Sequence, residues 1–359
     1  DVCSSDLGDA LTDADYNIAI GVNALGADTL GSGSVAIGRA ALEIQNFASA
    51  TTTYNTAVGY LAGNRVTTGV QNTLIGGLAG DAITDANNNV AVGYASLSTN
   101  QRGAFNTAVG VGALQVHNPS GAANTYNTAV GFDAGNAVTT GIENTLIGGL
   151  AGDALTTAQY NIALGSRALS ADTQGSQNVS IGAYSLTTQN FTSATDSHNV
   201  AVGTNTGRYI TTGIQNTLIG GLAGDAITDA DYNVALGYSS LTTNQLGSKS
   251  TAIGTFSLNN QNPASALDMF NTAVGYAAGG VITTGTYNTL IGGLAGDGMT
   301  TGTTNVAVGT QSLSGVVTGD NNVAVGHTSL EDVTSGHENT AIGRSSGLQL
   351  TEGGENVIV

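Results

Sequence analysis

The chain has 359 residues with 53 Gly, 2 Pro and no Trp; only 9% are charged, and the net charge is −18. Seven scattered Lys and Arg cannot track a phosphate backbone or an anionic membrane surface, which excludes nucleic acid and direct membrane contact as roles. Apolar content of 40% is too high for a disordered tail, no apolar run approaches the roughly 20 residues that span a bilayer, and the single cysteine, Cys3, allows no intrachain disulfide.

The first seven residues, "DVCSSDL", stand apart from everything that follows. Setting Gly8 against Gly80 aligns "GDALTDADYN" with "GDAITDANNN", yet the seven residues before Gly80 read "TLIGGLA". Residues 1–7 are therefore expected to be foreign to the repeat. Residues 8–359 are expected to form one elongated repeat domain, truncated at both ends.

From Asn17 onward a five-residue pattern recurs: Asn, a β-branched residue, a small residue, a branched aliphatic, Gly. "NIAIG" at Asn17, "NTAVG" at Asn55 and "NTAIG" at Asn339 are examples, among twenty starts ending with "NVIV" at Asn356. Seventeen residues separate successive starts, except for twenty-one from Ser34, Asn106, Asn178 and Ser250. Three short coils and one long coil thus make a super-repeat, whose string "NTLIGG" returns at Asn72, Asn144, Asn216 and Asn288. The second position is Ile, Val or Thr in all twenty copies, and the fourth is Val, Ile or Leu in all twenty. Gly closes each of the nineteen complete copies. β-Branched residues at alternate positions closed by Gly predict a short strand and a turn, and this density of Gly excludes helix.

A constant period predicts an all-β fold: a β-solenoid, or β-roll, of about twenty 17-residue coils, with every fourth coil of 21 residues through most of the chain. A second, weaker strand is expected to run to an aliphatic residue such as Val66 or Ile83, with Gly69, Gly103, Gly141, Gly213 and Gly285 at a second corner. The first-position Asn residues, with Ser at 34 and 250, are expected to bond between coils as a scaffold ladder up one edge.

The third position is Ala in fourteen of the nineteen copies, Leu in four and Ser in one. It points away from positions two and four, and with those two read as inward it becomes an apolar outer stripe. Ala57, Leu74, Ala91, Ala129, Leu146, Leu218 and Leu290 are thus expected to pack against another copy of the chain, since a monomer would expose the stripe.

The segments "NIAIG", "SVAIG" and "NTAVG", with "AL" a few residues later, resemble the head repeats of trimeric autotransporter adhesins (YadA-like heads), and similar repeats occur in phage tail-fibre proteins. The resemblance spans Gly8 to Val359, with a coil longer than those heads usually have. It implies a left-handed roll, a homotrimer and exposure at the cell surface or outside the cell. The function it implies is a non-enzymatic structural or adhesive segment of a fibre. The alternative is the shaft of a phage tail fibre or tailspike, on a virion, that binds host-surface glycans.

The long coils carry the chemical variety and both prolines, Pro119 and Pro263. Phe47, Tyr54, His117, Phe191, His198 and Phe270 are the candidate contacts for a glycan or protein receptor, because loops on a rigid scaffold commonly carry recognition. "GGLAGDAIT" at Gly76 is close to a calcium-binding nonapeptide, which makes Asp81, Asp153, Asp225 and Asp297 weak metal candidates. Its copies are four coils apart, so adjacent turns cannot share an ion, and no metal is expected. The four histidines lack ligand spacing, no nucleophile elbow, P-loop or triad is present, and no cofactor is expected. The pair "VTTG" occurs once in four coils, too sparsely for an ice-binding face.

Overall fold

A computed structural model describes residues 8–359; residues 1–7, assigned above as foreign to the repeat, lie outside the described residues. The described chain is all-β, without helix, and winds as a β-solenoid of about twenty stacked parallel coils. It divides into two compact units. The first ends at Asn178 and also takes in Asn190–Asp196; the second holds Val179–Gln189 and Ser197–Val359.

Each coil contributes one short strand from positions two to four of the pattern. In the first unit Val35–Ile37 pairs in parallel with Thr56–Val58 and that strand with Thr73–Ile75, so that Val35 faces Thr56 and Thr56 faces Thr73. In the second unit Val200–Val202 pairs likewise with Thr217–Ile219, and that strand with Val234–Leu236. The chain keeps identical positions in register coil after coil, which is what a fixed period demands. Strand Gly also fixes the corner. Gly76 has φ +133°, and a Cβ there would sit 2.5 Å from the Gly93 carbonyl oxygen of the next coil. Only a residue without Cβ turns the chain at this separation.

The first-position Asn residues form the predicted ladder, but inside the coil and not at its edge. Asn144 is fully buried; its Nδ2 donates to the Ala158 carbonyl at 2.9 Å, and its Oδ1 accepts from the Asn161 backbone N–H at 3.1 Å. One side chain thus closes its own coil and ties it to the next. Where Ser34 and Ser250 replace Asn, a glutamine from the long coil's interior takes over. Gln45 Nε2 donates to Ser34 Oγ and its Oε1 accepts from Asn55, and Gln261 repeats this with Ser250 and Asn271.

The strand faces are the reverse of the expectation. Ala57, Leu74, Ala91, Ala129, Leu146, Leu218 and Leu290 are all 0% exposed within a single chain, whereas Thr56 and Val58 on either side of Ala57 are half-buried. The third position points into the coil and cannot form an interchain stripe; positions two and four face outward. Alanine fits because the interior is narrow; it is filled by a leucine at position nine, such as Leu42, or, where that position is Gly63, by Leu42 and Leu74 of the adjacent coils. Leu74 is accommodated because position nine of its coil is Gly80, where a Cβ would come within 2.7 Å of Leu74 Cδ2 and 2.8 Å of Ile83 Cδ1.

The second, weaker strand expected to run to Val66 or Ile83 is absent among the described residues. Residues after the strand Gly run through turns instead, with left-handed backbone at Leu61 (φ 57°) and Gly63 (φ 58°). Second pairings occur only beside long coils: Gly31–Ser32 with Thr51–Thr52, Gly103–Ala104 with Ala123–Asn124, Gly175–Ser176 with Thr195–Asp196, and Gly247–Ser248 with Leu267–Asp268. The long coil stays in register up to Asn46, whose N–H reaches the Thr67 carbonyl at 3.0 Å, and resumes at Thr51. The four extra residues therefore bulge at 47–50, and the prolines of the other copies sit at the first bulge position, where no ladder N–H is needed.

Candidate functional site

Three of the six candidate contact residues are structural. Phe47 and Phe191 are only 7% and 6% exposed, and anchor the first residue of the bulge against the interior. His117 is fully buried, with Nε2 3.2 Å from Thr125 Oγ1, and Thr125 in turn donates to Asn106 Oδ1 at 2.8 Å. It stands where the other long coils have Gln45, Gln189 and Gln261. A bulge has to be tied down by something apolar or hydrogen-bonded, and these side chains do that.

Burial lowers the pKa of His117 to about 4 from an ordinary 6.5, against a smaller opposing contribution from the Thr139 backbone. The unfolded chain takes up a proton below pH 6.5 and the folded chain does not until about pH 4. The stability His117 contributes is thus present above pH 6.5 and lost as pH falls towards 4, a swing of about 3 kcal/mol. His117→Gln is expected to abolish that part of the acid sensitivity while leaving stability at neutral pH nearly unchanged. Urea unfolding of both proteins across this range checks it, and parallel pH profiles would refute it.

Asp81, Asp153, Asp225 and Asp297 hold the same position of their coils, and each has an unpartnered buried Oδ1. Desolvation raises the pKa of all four. Their sign is opposite to that of His117: the ionised carboxylate costs stability at neutral pH, and the cost is relieved on acidification. Among the described residues no three His, Cys, Asp or Glu side chains come together as a metal-ligand set. The threonine hydroxyls form a longer column than "VTTG" alone suggests. Thr67 donates to the Thr84 carbonyl at 3.1 Å, Thr84 to Gln101 at 3.1 Å and Thr139 to Thr156 at 3.2 Å, so their protons serve the coil stack.

Tyr54, His198 and Phe270 are exposed, but not as loop tips. They occupy the residue just before the strand Asn, in left-handed backbone, at one edge of the outward strand face. The same position holds Tyr16, Phe105, Tyr126, Tyr160, Tyr232 and Tyr287 in other coils. Aligning the residue that precedes each Asn reveals this column from the sequence alone. Within it Phe105 stacks on Tyr126 (centroids 5.2 Å apart) and Phe270 on Tyr287 (5.1 Å), while Lys249 lies over Phe270 at 5.3 Å and pairs with Asp268 at 2.5 Å. Across the strand, Tyr238, Phe256 and Tyr276 form an edge-to-face series at 5.8 and 6.1 Å.

Grooves open where this column meets the paired segments of the long coils. Asp15, Tyr16, Ser32, Gly33, Thr52 and Tyr54 line one of about 410 Å³. Asp85, Asn87, Arg102 and Asn124 contribute to a second, of about 350 Å³, and Asp229, Asp231, Leu267 and Asp268 to a third, of about 520 Å³. The arrangement offers exposed rings, hydroxyls and carboxylates on a rigid backbone, which is chemistry for binding. Compared with family models, curated proteins and solved structures, the chain matches none.

Proposed function

We propose that the chain is a non-enzymatic structural and adhesive segment of an extracellular fibre or surface adhesin, working as a homotrimer in the manner of the YadA-like heads it resembles. The observation that carries this reading is the outward strand face. In the first unit Ile18, Ile20, Ile75, Ile162 and Leu164 are exposed along it, and in the second Ile219, Val234, Leu236, Ile291 and Ile342. Soluble monomers rarely expose more than a few hundred Å² of contiguous apolar surface, so sister chains are the natural cover for such a face. Stiffness then comes from backbone ladders and the buried Asn column, and the net charge of −18 keeps separate fibres apart.

Lysines in place of Ile75 and Ile219 test the assignment of the face. Both residues already touch water in the single chain, so coil stability should change by less than about 1 kcal/mol per site while the assembly dissociates to single chains. Light scattering and thermal melts report the two effects separately. An unchanged assembly would remove this face from the interface.

A further inference from the structure

We propose that the groove at Gly33 is a carbohydrate site that takes one pyranose ring between Tyr16 and Tyr54. The inference rests on the adhesive reading above and gives it a ligand class. The residue before each strand Asn carries a side chain in most coils, and beside the other long coils it is Phe105, Gln177 and Lys249. Phe105 stacks on Tyr126, and Lys249 lies over Phe270, so in two of those coils the position covers the aromatic ring of the next coil. At the first long coil the residue is Gly33, with φ +76°, and the place of its missing Cβ is 3.6 Å from Tyr54 Cδ1. The ring of Tyr54 is left without that cover.

Tyr16, Gly33 and Tyr54 precede Asn17, Ser34 and Asn55, whose strands pair in register, so the two tyrosines are two coils apart in one column. That separation is about 9.6 Å. A ring stacked at about 3.5–4 Å from each tyrosine fills about 7–8 Å, and the remainder suits a saturated chair, which is thicker than an aromatic plane. Tyr16 and Tyr54, at 91% and 64%, are the most exposed large apolar side chains of this column. Around the slot stand Asp15, Ser32 and Thr52, able to accept from and donate to sugar hydroxyls. Ser32 Oγ already accepts from the Asp15 backbone N–H at 2.9 Å, which sets its orientation. Apolar faces with hydroxyl partners at the rim match a pyranose better than a charged or a wholly apolar ligand.

The test uses the purified chain in its own oligomeric state. Calorimetry and tyrosine fluorescence are measured with short neutral oligosaccharides of glucose, galactose, mannose and N-acetylglucosamine. Binding of at least one of these is expected. Gly33→Phe, which copies the side chain found at Phe105, should weaken it at least about tenfold without lowering the melting temperature, because Phe105 adopts the same left-handed backbone (φ 62°). Tyr54→Ala should weaken binding to a similar degree. Absence of binding to every sugar in the set would overturn the proposal, as would full binding by Gly33→Phe. Neither result touches the fibre reading, which stands or falls on the assembly state.

Discussion

Gly76→Ala is expected to lower stability by more than about 4 kcal/mol, a loss far outside the usual range for one added methyl group. The new Cβ would meet the Gly93 carbonyl oxygen at 2.5 Å and its carbonyl carbon at 2.7 Å, and these are backbone atoms held by the strand ladder. Backbone at φ +133° is also closed to L-residues. Relief requires that two coils separate, which breaks pairing on both sides. The adjacent Gly77→Ala is the matched control: its Cβ would come no nearer than 3.6 Å to the Tyr94 ring, so a change within about 0.5 kcal/mol is expected. Urea unfolding of the two variants side by side measures the contrast. Equal effects would mean that the close approach of Gly76 to the next coil is not what holds the corner.

Asn144→Leu is the second large effect. Leucine keeps the volume but leaves the Ala158 carbonyl and the Asn161 N–H without their side-chain partners in the interior. Two buried groups at about 1–3 kcal/mol each give an expected loss of about 2–6 kcal/mol. Compensation of the kind Gln45 and Gln261 provide at the Ser coils is closed to this coil, because its twelfth residue is Leu155. Hydrogen exchange adds a local reading: the Asn161 amide should lose protection before amides of the strand Thr128–Val130. A loss below about 1 kcal/mol would show that the ladder is decorative.

Period, strand position, parallel stacking and the site of the bulges were all legible, because each follows from spacing or from Gly and Pro. Strand polarity was not. Alternation says that Ala57 and Val58 face opposite ways, but it does not say which way is inside. Size pointed wrongly, since the larger β-branched residues looked like core. The deciding information lies in a coupling between distant positions. Leu at position three goes with Gly at position nine and an aliphatic at twelve, as in Leu74, Gly80 and Ile83, while Leu42 at position nine goes with Ala36 and Gln45. Where both are small, as in Ala57 and Gly63, Leu42 and Leu74 of the adjacent coils take the space, reaching to 3.0 and 2.6 Å from where a Gly63 Cβ would stand.

Three of the candidate contacts lie inside for a related reason. Phe47, His117 and Phe191 were conspicuous for chemistry in a chain of small residues, yet Phe47 and Phe191 anchor the start of a bulge inside a narrow coil, and His117 takes the interior position that Gln45 holds elsewhere. Tyr54, His198 and Phe270 belong to a column that recurs in short coils as well, and so report on an edge of the strand face more than on the loops. The weak metal candidates share a different logic: the Asp recurs once in four coils, with no carboxylate at the same position of the coil above or below.

Sedimentation equilibrium of the intact chain at neutral pH tests the central claim most directly. Outward-facing Ile, Val and Leu along the strands call for sister chains, and the expected mass is about three times the 35.5 kDa of one chain. A species that stays at the mass of one chain, soluble and fully folded at high concentration, would contradict it.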